Sequence, residues 1–268
     1  MTIPYVRLPT LPRPRARHVA QATTVLALAG VIYGVAAGVS RLAREAKRYR
    51  AASDVLYRRW TRIPAIVGPG MLRIHSRLRD VMTNQPPIVL VHGRGIASAW
   101  FVPLAARLSK DAPVFAPDLP GHGRSDPDAR DLTVPELAQA LGHWMEAMGL
   151  RGAVVVGHGI GCQVAVNAVA ARPELASQVV LVAPGGNVQE GVVLPRHLAC
   201  PVTFVRGARD RFVQRHWAER LALASGGAEP VTVAGSSRTM HHEDPDALAA
   251  IIVGLGASGE RGRQREPA

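Results

Sequence analysis

From residue 64 onward, short apolar runs alternate with longer stretches of helical periodicity, a pattern that predicts a mostly parallel sheet flanked by helices. The runs predict strands at Leu72–His75, Ile88–Val91, Val114–Ala116, Ala153–Val156, Val179–Val182, Val202–Val205 and Val231–Val233. Helices are expected at Ser98–Ser109, Val134–Met148, Ile160–Ala171, Gln214–Ala224 and Pro245–Gly254. No internal repeat is present.

Before residue 64 the pattern differs. The stretch VAQATTVLALAGVIYGVAAGVS, Val19 to Ser40, carries no charge; at about 22 residues it is long enough as a helix to cross a hydrocarbon core of about 30 Å. It runs straight into RLAREAKRYR rather than into a small-residue cleavage site, which favours an uncleaved single-pass anchor over a signal peptide or a buried helix. Basic residues after it (Arg41, Arg44, Lys47, Arg48, Arg50, Arg58 and Arg59) outnumber Arg7, Arg13, Arg15 and Arg17 before it, so the domain is expected at the membrane on the cytoplasmic side. Leu42, Ala46, Tyr49, Ser53, Leu56 and Trp60 then recur at three- and four-residue spacing with arginines between them. This predicts a basic amphipathic helix, lying on anionic headgroups or packed on the domain. The expected organisation is a basic, proline-rich tail over 1–18, a transmembrane helix over 19–40, a basic amphipathic helix or linker over 41–63, an α/β domain over 64–257 and a disordered basic tail over 258–268.

Composition changes this picture in two places. The net charge of +12 comes mostly from arginines near the two ends, so an anionic lipid surface is the favoured partner. Nucleic acid is not expected, because aromatic residues are only 4% of the chain and no nucleic-acid module is recognisable. With Cys162 and Cys200 alone, a disulfide framework is not expected either.

Candidate chemistry starts with VVVGHGIGC, Val154 to Cys162, in which an apolar strand enters a glycine-rich turn and then a helix. Gly157, Gly159 and Gly161 suit a sharp strand-to-helix turn, and a generic β-α turn would use them without chemistry. No lysine follows at the spacing of a nucleotide loop, and no cofactor or metal is implied.

Five blocks in order resemble the α/β-hydrolase superfamily, of the esterase and lipase type: IVLVHGRGIASAW (Ile88 to Trp100), APDLPGHGRSD (Ala116 to Asp126), VVVGHGIGC, FVRGARD (Phe204 to Asp210) and AGSSRTMHHEDPDAL (Ala234 to Leu248). The resemblance implies a mostly parallel sheet flanked by helices. Fewer than about 20 residues separate Ala183 from Pro201, so no sizeable cap domain is expected. It also implies a Ser-His-acid triad, tested here by position. Gly159 stands at the nucleophile position, which is therefore lost. Asp210 keeps the acid position. Spacing from Glu243 and Pro245 puts Arg238 at the histidine position and His241 at a supporting one. Arginine stays protonated at neutral pH and takes no proton, but it can pair with Asp210. A slip of three or four residues would make His241 or His242 the base.

The oxyanion elements look intact, with Gly93 and Arg94 after one strand and Ile160 after the elbow. His92, His122 and His158 match positions that are commonly histidine in the superfamily and are expected to support the structure. Ser98 and Ser125 border the expected pocket, in loop or capping roles or as donors to a ligand. Cys162, one turn into the helix, is the nearest substitute nucleophile and is expected to be a buried small hydrophobe. These readings point to a membrane-anchored pseudoenzyme that binds a small acyl-type ligand or a protein partner. The alternatives are an active membrane esterase or lipase with a displaced histidine and an unusual nucleophile, and non-hydrolytic chemistry on the same scaffold.

Overall fold

The computed structural model describes residues 53–127, 132–184, 198–211 and 230–263, with residues 49 and 219 besides, and side chains as far as Gly254. Contacts divide the chain into units 1–48 and 49–268, and the described residues all lie in the second. The expected membrane span, the helix over 214–224 and the missing-cap segment 185–197 fall outside the described residues. Among those described, no helix is long and apolar enough to cross a membrane.

One eight-stranded sheet organises the domain, in the order β1-β2-β4-β3-β5-β6-β7-β8. The strands are β1 (Tyr57–Pro64), β2 (Met71–Arg79), β3 (Ile88–Val91), β4 (Val114–Pro117), β5 (Ala153–His158), β6 (Ala176–Val182), β7 (Val202–Gly207) and β8 (Val231–Val233). From β4 to β8 neighbours are parallel, whereas β1 and β2 form an antiparallel edge. The runs IVLV of β3 and VFAP of β4 are wholly buried, because helices cover both faces of a parallel sheet.

The helices are α1 (Val102–Leu108, entered through a 3-10 turn at Ser98–Phe101), α2 (Val134–Ala147), α3 (Gly161–Ala171), α4 (Met240–Glu243) and α5 (Pro245–Arg263). Leu141 and Trp144 of α2 and Val164 and Val166 of α3 fill the core on one side of the sheet. Leu104 and Leu108 of α1 and Leu248 and Ile252 of α5 fill it on the other. A capping box starts α2: Thr133 Oγ1 accepts from the Glu136 N–H, and the Glu136 carboxylate accepts from the Thr133 N–H at 2.7 Å.

Two expectations need correction. Residues 57–64 are strand β1, not the end of a basic helix, so the sheet begins before residue 64. Trp60 sits opposite His75 across a ladder, not one helical turn from Leu56. The basic tail expected over 258–268 is helical as far as Arg263, continuing α5.

Candidate functional site

Between the end of β5 at His158 and the start of α3 at Gly161, only Gly159 and Ile160 make the turn. Two of its glycines are required by close approach. A Cβ on Gly157 would lie 2.6 Å from Cys162 Cα, and one on Gly161 would strike the carbonyls of Val91 and His92. Gly159 differs. Its φ is +59°, the strained elbow conformation, yet a Cβ there would meet only Arg238 Nη2 at 3.2 Å and Gly93 Cα at 3.8 Å. The guanidinium of Arg238 therefore lies beside the position from which a nucleophile's side chain would extend.

Arg238 is held there by its loop. Glu243 accepts from the Ser237 N–H at 2.8 Å, the Ser237 hydroxyl at 2.7 Å and the Thr239 hydroxyl at 2.9 Å, folding residues 237–243 around one carboxylate. Burial raises the pKa of Glu243, but these bonds and Arg209 outweigh it and leave the net shift downward. The Arg209 N–H donates to Ser236 O at 2.9 Å and the Ala208 N–H to Val233 O at 2.9 Å, so the turn carrying buried Asp210 lies against the same loop.

His158 joins these elements. Its Nε2–H donates to Arg238 O at 3.1 Å, while Nδ1 has no hydrogen-bond partner among the described residues. Burial lowers its pKa most, the carbonyl bond raises it, Arg238 lowers it and Asp210 raises it, with a net result of about 4. Arg238 and Asp210 are thus both close enough to act on the same ring.

His241 is 0% exposed, with neither ring nitrogen hydrogen-bonded among the described residues. Its ring packs 4.5 Å from His158 and 5.3 Å from Phe101, centroid to centroid. Burial first, then His158 and His242, hold its pKa far below the ordinary histidine value. A base needs an orienting acid, and among the described residues His241 has none in hydrogen-bond reach. His242 is exposed, with its ring 6.5 Å from that of Trp100.

Cys162 is 1% exposed; its thiol donates to Gly157 O at 3.2 Å, and burial drives its pKa well above the ordinary thiol value. Cys200 is half-buried. In native protein a thiol reagent such as DTNB should modify Cys200 only, with Cys162 reacting at the rate of unfolding. Release of two thiolates before unfolding would reopen Cys162 as a nucleophile.

The serines and the remaining histidines gather around a carboxylate that sequence reading had passed over. Asp118 follows β4 and is buried. Its Oδ1 accepts from the Ser98 N–H at 2.7 Å, and its Oδ2 from His75 Nδ1–H at 2.8 Å and the Arg124 N–H at 3.0 Å. Burial opposes its charge, but these bonds prevail and pull its pKa well below the carboxylate range. Ser125 Oγ donates to Asp118 O at 2.6 Å and accepts from the His75 N–H at 2.9 Å, a structural role. Ser98 is buried, and its hydroxyl lies close enough to the Asp118 carboxylate to help lower its pKa. His92 Nδ1–H donates to Gly93 O at 2.8 Å while Nε2 accepts from the Leu119 N–H at 2.9 Å, which fixes a neutral ring. His122 donates to Pro120 O at 3.0 Å. The signal in the sequence was a lone aspartate directly after the apolar run VFAP.

Gly93 lies buried against His158 and Arg94 is exposed; the Ile160 N–H, at the N-terminus of α3, has no acceptor among the described residues. Among those residues no three His, Cys, Asp or Glu side chains gather as a metal-binding group.

Known proteins resemble this chain in sequence or in fold. An uncharacterized protein of Mycobacterium tuberculosis is 31% identical over 128 residues, which are 48% of this chain and 38% of that protein. A pimeloyl-[acyl-carrier protein] methyl ester esterase of Xanthomonas campestris is 34% identical over 96 residues, 36% of each chain. The matches thus span less than two fifths of these relatives' length. A putative lipase from Acinetobacter baumannii superposes with a TM-score of 0.69 at 15% identity, covering 82% of this chain and 97% of the other, a likeness of fold. The alpha/beta hydrolase fold family matches residues 86–241, more than half of the chain and every element from β3 to the His241 loop. With the sheet order and elbow described above, this chain belongs to that family.

Proposed function

We propose that the chain is a non-hydrolytic member of its family that binds a small acyl-type ligand through a carboxylate or carbonyl at the elbow, or a protein partner at the same place. The observation that carries this is the Arg238 guanidinium beside Gly159, a cation where the family's chemistry wants a nucleophile. A guanidinium has five donors, so Arg238 can hold Asp210 on one edge and offer another to a ligand oxygen beside the Ile160 N–H. Substitute machinery finds little support. Cys162 is buried, and among the described residues His241 has no acid hydrogen-bonded to it.

The full chain should turn over neither short- nor long-chain p-nitrophenyl esters above background. It should bind a fluorescent fatty acid, and Arg238→Gln should weaken that binding about tenfold, the order of one lost charge-assisted hydrogen bond. Turnover abolished by Asp210→Ala would overturn the reading in favour of an esterase with a displaced base. Anchoring by residues 19–40, with the domain on the cytoplasmic side, is part of the same proposal. Alkaline carbonate should leave the chain in the membrane fraction, and protease protection in sealed vesicles reads the side.

A further inference from the structure

Five of the six large hydrophobic side chains exposed among the described residues, Tyr57, Trp60, Val67, Met71 and Met82, lie within or just after the β1–β2 edge, and four of them belong to one hairpin. Val67 is 67% exposed, Met71 55% and Trp60 50%. Between Tyr57 and Arg79 the hairpin carries Arg58, Arg59, Arg62, Arg73, Arg77 and Arg79 and no acidic residue. Its tip, Pro64 to Met71, is uncharged.

Register orders these groups along the hairpin. Pro64 pairs with Met71 at the tip, Arg62 faces Arg73 next, and Trp60 faces His75 below them. Like charges directly opposite on one sheet face repel. The Arg73 guanidinium lies 5.3 Å from the Trp60 ring centre, which offsets part of that repulsion and leaves the cations facing outward. Two carboxylates bond this segment, Asp118 to His75 Nδ1–H at 2.8 Å and Asp126 to the backbone N–H of Arg73 at 3.3 Å, and neither reaches the Arg62 or Arg73 guanidinium.

The hairpin also projects. β2 pairs with β4 only over Ser76–Arg79; beyond that rung residues 73–75 run along the loop after β4, with the Asp118 N–H donating to His75 O at 2.8 Å and the Asp126 N–H to Arg73 O at 3.1 Å, and carry the turn past it. They do so at the C-terminal end of β4, the sheet edge that also carries the elbow after parallel strand β5.

We propose that this hairpin tip is a membrane-contact surface for an anionic bilayer. The uncharged loop with Val67 and Met71 enters the interface, Trp60 sits at headgroup depth, and Arg62 and Arg73 take lipid phosphates between them. The contact turns the elbow's edge of the sheet toward the lipid. An uncharged tip ahead of the cations fits a bilayer and not a nucleic-acid backbone, which would need charge at the point of contact. The surface rests on hairpin residues alone, independent of the span at 19–40 and of the ligand proposed for the elbow.

The test uses the full chain with Cys200→Ser, carrying an environment-sensitive probe on a cysteine at position 67 (Val67→Cys) or, just past the end of β2 remote from the tip, at position 82 (Met82→Cys). Phosphatidylcholine vesicles with and without phosphatidylglycerol are compared, with brominated acyl chains as quencher. A probe at 67 should brighten and be quenched in anionic vesicles while one at 82 is not, and Arg62→Glu with Arg73→Glu should abolish the quenching. Should that pair fail to fold, Arg62→Gln with Arg73→Gln should reduce it severalfold. Equal responses at 67 and 82, indifference to the arginine changes, or a response to duplex DNA in place of vesicles would overturn the proposal. Because the probe reads the tip's own surroundings, a chain held to vesicles by residues 19–40 gives the same distinction.

Discussion

Gly159→Ser combined with Arg238→His should confer esterase activity on activated esters at least about 100-fold above either single variant, because base and nucleophile act as a unit worth that much or more. Serine alone would place its Cβ 3.2 Å from Arg238 Nη2, beside a group that takes no proton. Histidine alone would face a glycine. Together they restore a hydroxyl and an imidazole next to Asp210, with the Ile160 N–H at the helix start to meet the oxyanion. The turn already holds φ +59°, so a side chain at 159 costs roughly 1–2 kcal/mol of backbone strain, and where Arg238 is retained the end of its side chain must shift slightly to clear the new Cβ. Initial rates with p-nitrophenyl acetate decide the matter. A wild-type rate equal to that of the double variant would show that the wild type already has working machinery elsewhere.

Acidification should destabilise the fold well above the carboxylate range. His92 and His158 are buried with pKa values of about 4, desolvation being the largest cause for each, and His241 is lower still. A folded pKa below the unfolded 6.5 means that the unfolded chain binds more protons between those limits. Stability is therefore complete above pH 6.5 and is lost as pH falls toward 4. Each such group costs up to about 1.4 kcal/mol per pH unit in that window, so the three together should lose on the order of 6–8 kcal/mol from pH 6.5 to 4.5. Urea midpoints across this range measure it. His241→Leu should leave the midpoint near neutral pH within about 1.5 kcal/mol of wild type, as a swap of similar volume, and flatten the acid slope by about one proton. A slope unchanged in that variant would mean that His241 does not titrate on unfolding.

Strands β3 to β8 were legible because each is a short apolar run, and buried parallel strands leave little else to read. Strand β1 was not. Its outward positions carry Arg58, Trp60 and Arg62, and Leu56 four residues before Trp60 imitates a helical face. An exposed edge strand obeys its partner's register more than its own pattern, and that partner lies beyond a hairpin turn. The loop over 237–243 left a mark in the sequence at Glu243 because that carboxylate physically closes it. The contact of His158 with Arg238 and His241 could not be read, since it depends on two loops about 80 residues apart meeting across the sheet edge. Asp118 escaped for a related reason, as its partners His75, Ser98 and Arg124 come from three separate segments.

That carboxylate fastens β2, the 3-10 turn before α1 and the loop after β4 with two oxygens. None of the three segments can detach without stranding its own donor and leaving the buried carboxylate they share short of a partner. In amide hydrogen exchange, the Ser98 and Arg124 N–H groups, distant in sequence, should therefore lose protection in one shared opening event rather than by separate local fraying. The projecting hairpin would open with them, so that its root behaves as part of the slow-exchanging core even where its tip faces outward.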